Sequence, residues 1–116
     1  MMFKRQMLNT ILKRLSEPRL FIQVLAGPRQ VGKTTLAQQA ISELDMPSHY
    51  ASADDANIGG VWLEQQWDIG RIRARQDGGA LLVLDEIQKV PRWSDIVKRL
   101  WEEDSRSSTD LKLLLL

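Results

Sequence analysis

Residues 27–34 run Gly-Pro-Arg-Gln-Val-Gly-Lys-Thr. This is the spacing G-x-x-x-x-G-K-T, and its chemistry is that of a phosphate cradle. A triphosphate needs many donors converging on a small volume. A glycine-permitted loop turns consecutive backbone N–H groups inward, and the helix behind it adds the positive end of its dipole. In this reading Gly27, Pro28, Arg29, Gln30, Val31, Gly32, Lys33, Thr34 and Thr35 form the binding loop. Lys33 brings a mobile cation to the β- and γ-phosphates, and the Thr34 hydroxyl is a ligand for Mg²⁺.

A second constellation lies downstream. Leu81-Leu82-Val83-Leu84-Asp85-Glu86 is an apolar run closed by two acids. The run suits a buried strand whose C-terminal end delivers carboxylates to the crevice where parallel sheets bind ligands. Asp85 is then the second candidate Mg²⁺ residue, acting mostly through the ion's water shell. Glu86 stands where a carboxylate could orient and deprotonate an attacking water, so Glu86 and Lys33 are the candidate catalytic residues. An acid directly after the metal-site Asp points to hydrolysis more than to phosphoryl transfer.

These residues need elements to hold them. Leu20–Ala26 is apolar and rich in strand formers, which predicts a buried parallel strand entering the loop. Leu36, Ala37, Ala40, Ile41 and Leu44 share one helical face behind it. Upstream, Met7, Leu8, Ile11, Leu12 and Leu15 predict an amphipathic helix over roughly 3–15, stopped by Ser16-Glu17-Pro18. Residues 1–17 are therefore read as an N-terminal helix and 18–116 as the core. A short strand is expected at His49–Ser52. A helix from Trp62 to about Gln76 is expected to carry a stripe of Ile58, Trp62, Ile69 and Ile72 and to end at Gly78-Gly79. The strand Ala80–Leu84 follows, then an extended Val90-Pro91. A helix is marked by Trp93, Ile96, Val97, Leu100 and Trp101, a polar loop spans Glu102–Asp110, and a last strand covers Leu111–Leu116. Alternating strands and helices predict an α/β fold, a parallel sheet sandwiched by helices.

Composition narrows the partners. The 116 residues hold 16 Lys+Arg against 15 Asp+Glu, so net charge drives the chain neither to nucleic acid nor to a membrane. The seven basic residues of positions 1–35 face only Glu17, which suits an anionic ligand near the loop. The absence of cysteine excludes disulfides, zinc–thiolate sites and thiol catalysis. No apolar run approaches the roughly 20 residues of a membrane span, and the default compartment is cytoplasmic.

Several residues have plainer readings. Arg29 and Gln30 could touch phosphate or a neighbouring subunit, but backbone N–H groups suffice at those positions. His49, the single histidine, has no cluster around it and reads as a packing or surface residue. Trp62, Trp67, Trp93 and Trp101 could stack on bases. Three of them sit at helical spacing with other apolar residues, which favours packing. Asp95, Lys98, Arg99, Glu102 and Glu103 read as a solvated face with an Asp95–Arg99 pair.

The stretch Asp85-Glu86-Ile87-Gln88-Lys89-Val90-Pro91-Arg92-Trp93 resembles the D-E-[IV]-Q-[KR]-x-P-x-[WF] segment of prokaryotic AAA+-type P-loop ATPases. Gly27 through Leu36 is similar to the same family's G-P-R-[QR]-[VT]-G-K-T-T-L loop, and Tyr50–Asp55 resembles its short second strand. The resemblance implies an additional-strand P-loop NTPase fold (AAA+/RecA-like) with sheet order 5-1-4-3-2. It also implies ATP as ligand with Mg²⁺, and it leaves open a homo-oligomer and a C-terminal domain. Family members continue beyond a strand like Leu111–Leu116 into a segment carrying a sensor residue. The chain is accordingly expected to be incomplete at its C-terminus and marginally stable alone. Two rival functions stay open at this point: a nucleic-acid-binding or assembly module that uses nucleotide as a switch without hydrolysis, and a small-molecule kinase.

Overall fold

A computed structural model describes residues 2–19, 22–25, 32–55 and 59–116. The element order is α1 (Met2–Ser16), β1 (Gln23–Val24), α2 (Lys33–Glu43), β2 (Ser48–Ser52), α3 (Gly60–Asp77), β3 (Ala80–Asp85), α4 (Trp93–Ser107) and β4 (Leu111–Leu115). The four strands form one parallel sheet in the order β1-β4-β3-β2. The strand from Leu111 thus lies between the P-loop strand and the strand ending in Asp85, as the family's order implies.

Side chains of β3 alternate between two cores, as the period of a strand requires. Ala80, Leu82 and Leu84 face Leu63, Trp67 and Ala74 of α3 and Val97 and Leu100 of α4. Leu81 and Val83 face Ile11 and Leu15 of α1 and Leu36, Ala37 and Ala40 of α2. Every residue of β3 is buried, so the strand tolerates a polar side chain only at its end. The same alternation puts Asp85 on the α2 side.

Three expectations change. The buried face of α3 is Leu63, Trp67, Gly70 and Ala74, while Ile69 and Ile72 point outward; Ile58 lies outside the described residues. The helix presses small residues on the sheet: a Cβ on Gly70 would stand 3.1 Å from Leu111 Cδ1. Next, α4 does not end at Trp101. It continues to Ser107, because Asp104 occupies the buried position that follows Val97 and Leu100 on the helical face. Its carboxylate is 1% exposed and accepts hydrogen bonds from Trp67 Nε1 (2.7 Å) and Arg71 Nε (2.6 Å). Only Ser108–Asp110 remain as the connection. Finally, β1 is an edge strand with Val24 64% exposed and is not buried on both sides; Leu20, Phe21 and Ala26 lie outside the described residues. Smaller differences follow the same local rules. Pro91 and Arg92 form a turn. Arg99 pairs with Glu64 (2.6 Å) and Glu103 (3.3 Å), not with Asp95. His49 Nε2 lies 2.7 Å from Gln66 Oε1, a packing role.

Arg19 fastens the segment after α1 to the far side of the sheet. Its guanidinium stacks 3.5 Å above the Trp101 ring, and its Nε donates to the Leu111 carbonyl at 2.8 Å. Lys112 Nζ reaches the Leu15 carbonyl at 2.6 Å. These contacts hold α1 against β4, and so hold the floor on which α2 sits.

Replacing Asp104 by Ala leaves Trp67 Nε1 and the Arg71 guanidinium without their buried acceptor. Removing one partner from such a pair costs about 3 kcal/mol of folding free energy. Urea unfolding checks this; an Asp104→Ala midpoint equal to that of the parent chain would show that the network contributes nothing.

Candidate functional site

The site is built at the C-terminal rim of the sheet. Parallel strands all end there, so β2 and β3 deliver their last residues side by side, Ser52 opposite Asp85. The N-terminus of α2 faces the same rim. Its N-cap, Gly32, has φ 69°, a left-handed conformation in which a side chain would be strained. That turn starts the helix at Lys33 and gives Leu36 N–H its bond to the Gly32 carbonyl at 3.0 Å.

The two sequence motifs meet here. Thr34 Oγ1 donates to Asp85 Oδ2 at 2.7 Å across 51 positions of chain. Gly32, Lys33, Thr34, Thr35, Asp54, Asp85 and Glu86 line a cleft of about 260 Å³. Gly27, Pro28, Arg29, Gln30 and Val31 lie outside the described residues. Asp85 is 7% exposed, so its carboxylate is nearly withdrawn from solvent and depends on donors supplied by the protein.

Glu86 sits just past the strand with φ 57°, another left-handed position. A bulky residue held there is strained by about 1–2 kcal/mol. The conformation turns the chain at once into a 3-10 turn, Ile87–Lys89, in which Ile87 plugs the core. Gln88 Nε2 donates to Glu86 Oε2 at 2.8 Å, and Lys89 Nζ lies 4.0 Å from the same oxygen while also pairing with Asp54. Lys89 thus stands between two of the cleft's carboxylates and offsets their mutual repulsion.

Two residues escape a reading of the motifs alone. Asp54 comes from the 3-10 turn Ala53–Asp55 directly after β2. Tyr50 lies within β2, and its hydroxyl donates to Asp85 Oδ2 at 2.5 Å. Burial, and then the hydrogen bond to Asp85, hold the Tyr50 hydroxyl above the usual tyrosine range, so it stays a protonated donor. The available signal is strand adjacency: once β2 lies beside β3, residues near its end must reach the same rim.

A larger groove of about 340 Å³ lies between α1 and β1, lined by Met7, Ile11, Val24 and Leu25 among others. Among the described residues it holds no carboxylate and no glycine-started helix end. The smaller, polar cleft is therefore the candidate functional site.

Comparison with known proteins agrees with this geometry. A family model described as an AAA domain matches residues 20–114. The Holliday junction branch migration complex subunit RuvB of Bifidobacterium adolescentis is 34% identical over 83 residues, covering 72% of this chain and 21% of the relative. The protein of the same name from Bifidobacterium longum (strain NCC 2705) is also 34% identical over 83 residues, covering 72% and 22%. That of Fervidobacterium nodosum is 38% identical over 69 residues, covering 60% and 18%. The chain spans about a fifth of the length of the curated relatives it matches. A parallel α/β sheet in the P-loop order, two motifs joined at its rim and a family match over nearly its whole length lead to one conclusion: the chain belongs to the AAA domain family of prokaryotic AAA+ P-loop ATPases, as an ATP-binding domain.

Proposed function

We propose that the cleft between α2 and β3 binds ATP with Mg²⁺, and that the protein to which this domain belongs hydrolyses it. The observation that carries the reading is the 2.7 Å contact of Thr34 Oγ1 with Asp85 Oδ2, in a cleft that also holds Lys33 and Glu86. A hydroxyl and a carboxylate are hard oxygen donors. They suit Mg²⁺, which keeps several waters and shares phosphate oxygens instead of demanding a closed protein cage. Bound between Thr34, Asp85 and the nucleotide, the ion would neutralise charge on the phosphate oxygens.

The protein's own parts then divide the work. Backbone N–H groups of the loop 27–35 other than Pro28, with the start of α2, hold the phosphates, and Lys33 reaches the β- and γ-phosphates. Glu86, turned into the cleft by its left-handed backbone, orients the attacking water and takes its proton as the γ-phosphoryl group leaves ADP. The family match favours this reading over a small-molecule kinase or a switch that never hydrolyses.

Assembly with further copies and a nucleic-acid client are proposed on the relatives' name alone, which describes a complex subunit acting at Holliday junctions. The net charge of +1 adds no electrostatic drive toward DNA. Among the described residues no helix is long and apolar enough to cross a membrane.

Lys33→Ala should weaken binding of ATP with Mg²⁺ by about tenfold to a hundredfold, the worth of a charge-assisted contact. Calorimetry reads this directly, and parent-like affinity in the variant would remove the loop from the site. Glu86→Gln should keep nucleotide binding and slow single-turnover hydrolysis by roughly 10²–10⁴-fold in any form of the protein that hydrolyses. An unchanged rate would mean that another group positions the water.

A further inference from the structure

We infer that Tyr50 is the positioning residue for Asp85, so that the site's preference for metal-bound over metal-free nucleotide depends on a hydroxyl delivered by the neighbouring strand. This rests on the nucleotide-site reading above and deepens it.

Register makes the contact. Tyr50 pairs with Val83, two positions before Asp85 on the same face of the sheet. From there only a long side chain reaches forward to the rim, and the phenol does so, ending 2.5 Å from Asp85 Oδ2. The ring is anchored along the way, packed against the core of Leu36, Ala37, Leu81 and Val83. Thr34 Oγ1 donates to the same oxygen.

The two donors differ in what they respond to. Thr34 lies at the start of a helix next to the phosphate loop, and its oxygen is itself a candidate cation ligand, so a cation bound there would compete for it. Tyr50 is not a candidate cation ligand; it is held by the sheet and by the core, with Thr34 beside its hydroxyl. A nearly buried carboxylate with one fixed donor and one donor open to that competition keeps its rotamer when the cleft fills. Without the fixed donor the carboxylate must be ordered at the expense of cation affinity. The opposite role is also defined: a phenol that competes with the cation for Asp85 would hold affinity down, and its removal would tighten binding.

Isothermal titration of ATP into the chain, once with Mg²⁺ and once with EDTA, separates these cases. The proteins compared are the parent, Tyr50→Phe, Asp85→Asn and the double variant. Phe keeps the ring and its packing, and circular dichroism confirms the fold. Tyr50→Phe should weaken binding in Mg²⁺ by about tenfold and change binding in EDTA by less than about twofold, the loss of one charge-assisted hydrogen bond. Asp85→Asn should abolish the gain from Mg²⁺, and adding Tyr50→Phe to it should change nothing more, since coupled residues are not additive. Unchanged or tighter binding of Tyr50→Phe in Mg²⁺ overturns the inference, as does an equal loss in Mg²⁺ and EDTA, which marks a merely structural tyrosine. If the parent shows no gain from Mg²⁺, or Asp85→Asn keeps it, the nucleotide-site reading itself fails and takes this inference with it.

Discussion

β3 has hydrogen-bonded neighbours on both sides and helices over both faces, and its side chains are all withdrawn from water. A polar group within it would carry an uncompensated desolvation cost, so the strand must stay apolar until its last residue. That residue is Asp85, and its burial is tolerable because Thr34 and Tyr50 both donate to it. The parallel arrangement then brings the ends of β2 and β3 to one rim. Placement of the acid, the approach of α2 and the cleft itself all follow from a strand that cannot be wet.

The opposite rim is held by different means. Asp104 is buried on α4 and bound by Trp67 and Arg71, while Arg19 lies against Trp101 and the start of β4. Charged groups there are consumed in fastening helices to the sheet. At the cleft, Lys89 pairs with Asp54 and lies 4.0 Å from Glu86, and Lys33 lines the same space as Asp54, Asp85 and Glu86.

Much of this was legible in the sequence because it is local. The apolar run ended by two acids and the helix that starts at Lys33 each occupy one short window, while residues 27–31 of the glycine loop lie outside the described residues. The strand order came from the family resemblance, and the sheet bears out its 1-4-3-2 part. What escaped detection was packing set by small or polar residues. Gly70 and Ala74 give no hydrophobic signal, yet they are what lets α3 lie on the sheet, and the isoleucines beside them face out. Asp104 falls inside the polar loop expected at Glu102–Asp110, although it continues the buried face of α4. Tyr50 could be placed at Asp85 only once β2 was known to lie beside β3 in its observed register. Each of these depends on a neighbour distant in sequence, which no window contains.

The central claim is that Thr34 and Asp85 sit at the cation that accompanies a bound nucleotide. Paramagnetic Mn²⁺ supplied with ATP in place of Mg²⁺ tests it by position, since relaxation broadening falls steeply with distance. The amide resonances of Thr34 and Asp85 should broaden first, while those of Asp104 and Asp110 at the opposite rim stay sharp. Sharp Thr34 and Asp85 resonances with broadening centred elsewhere would contradict it.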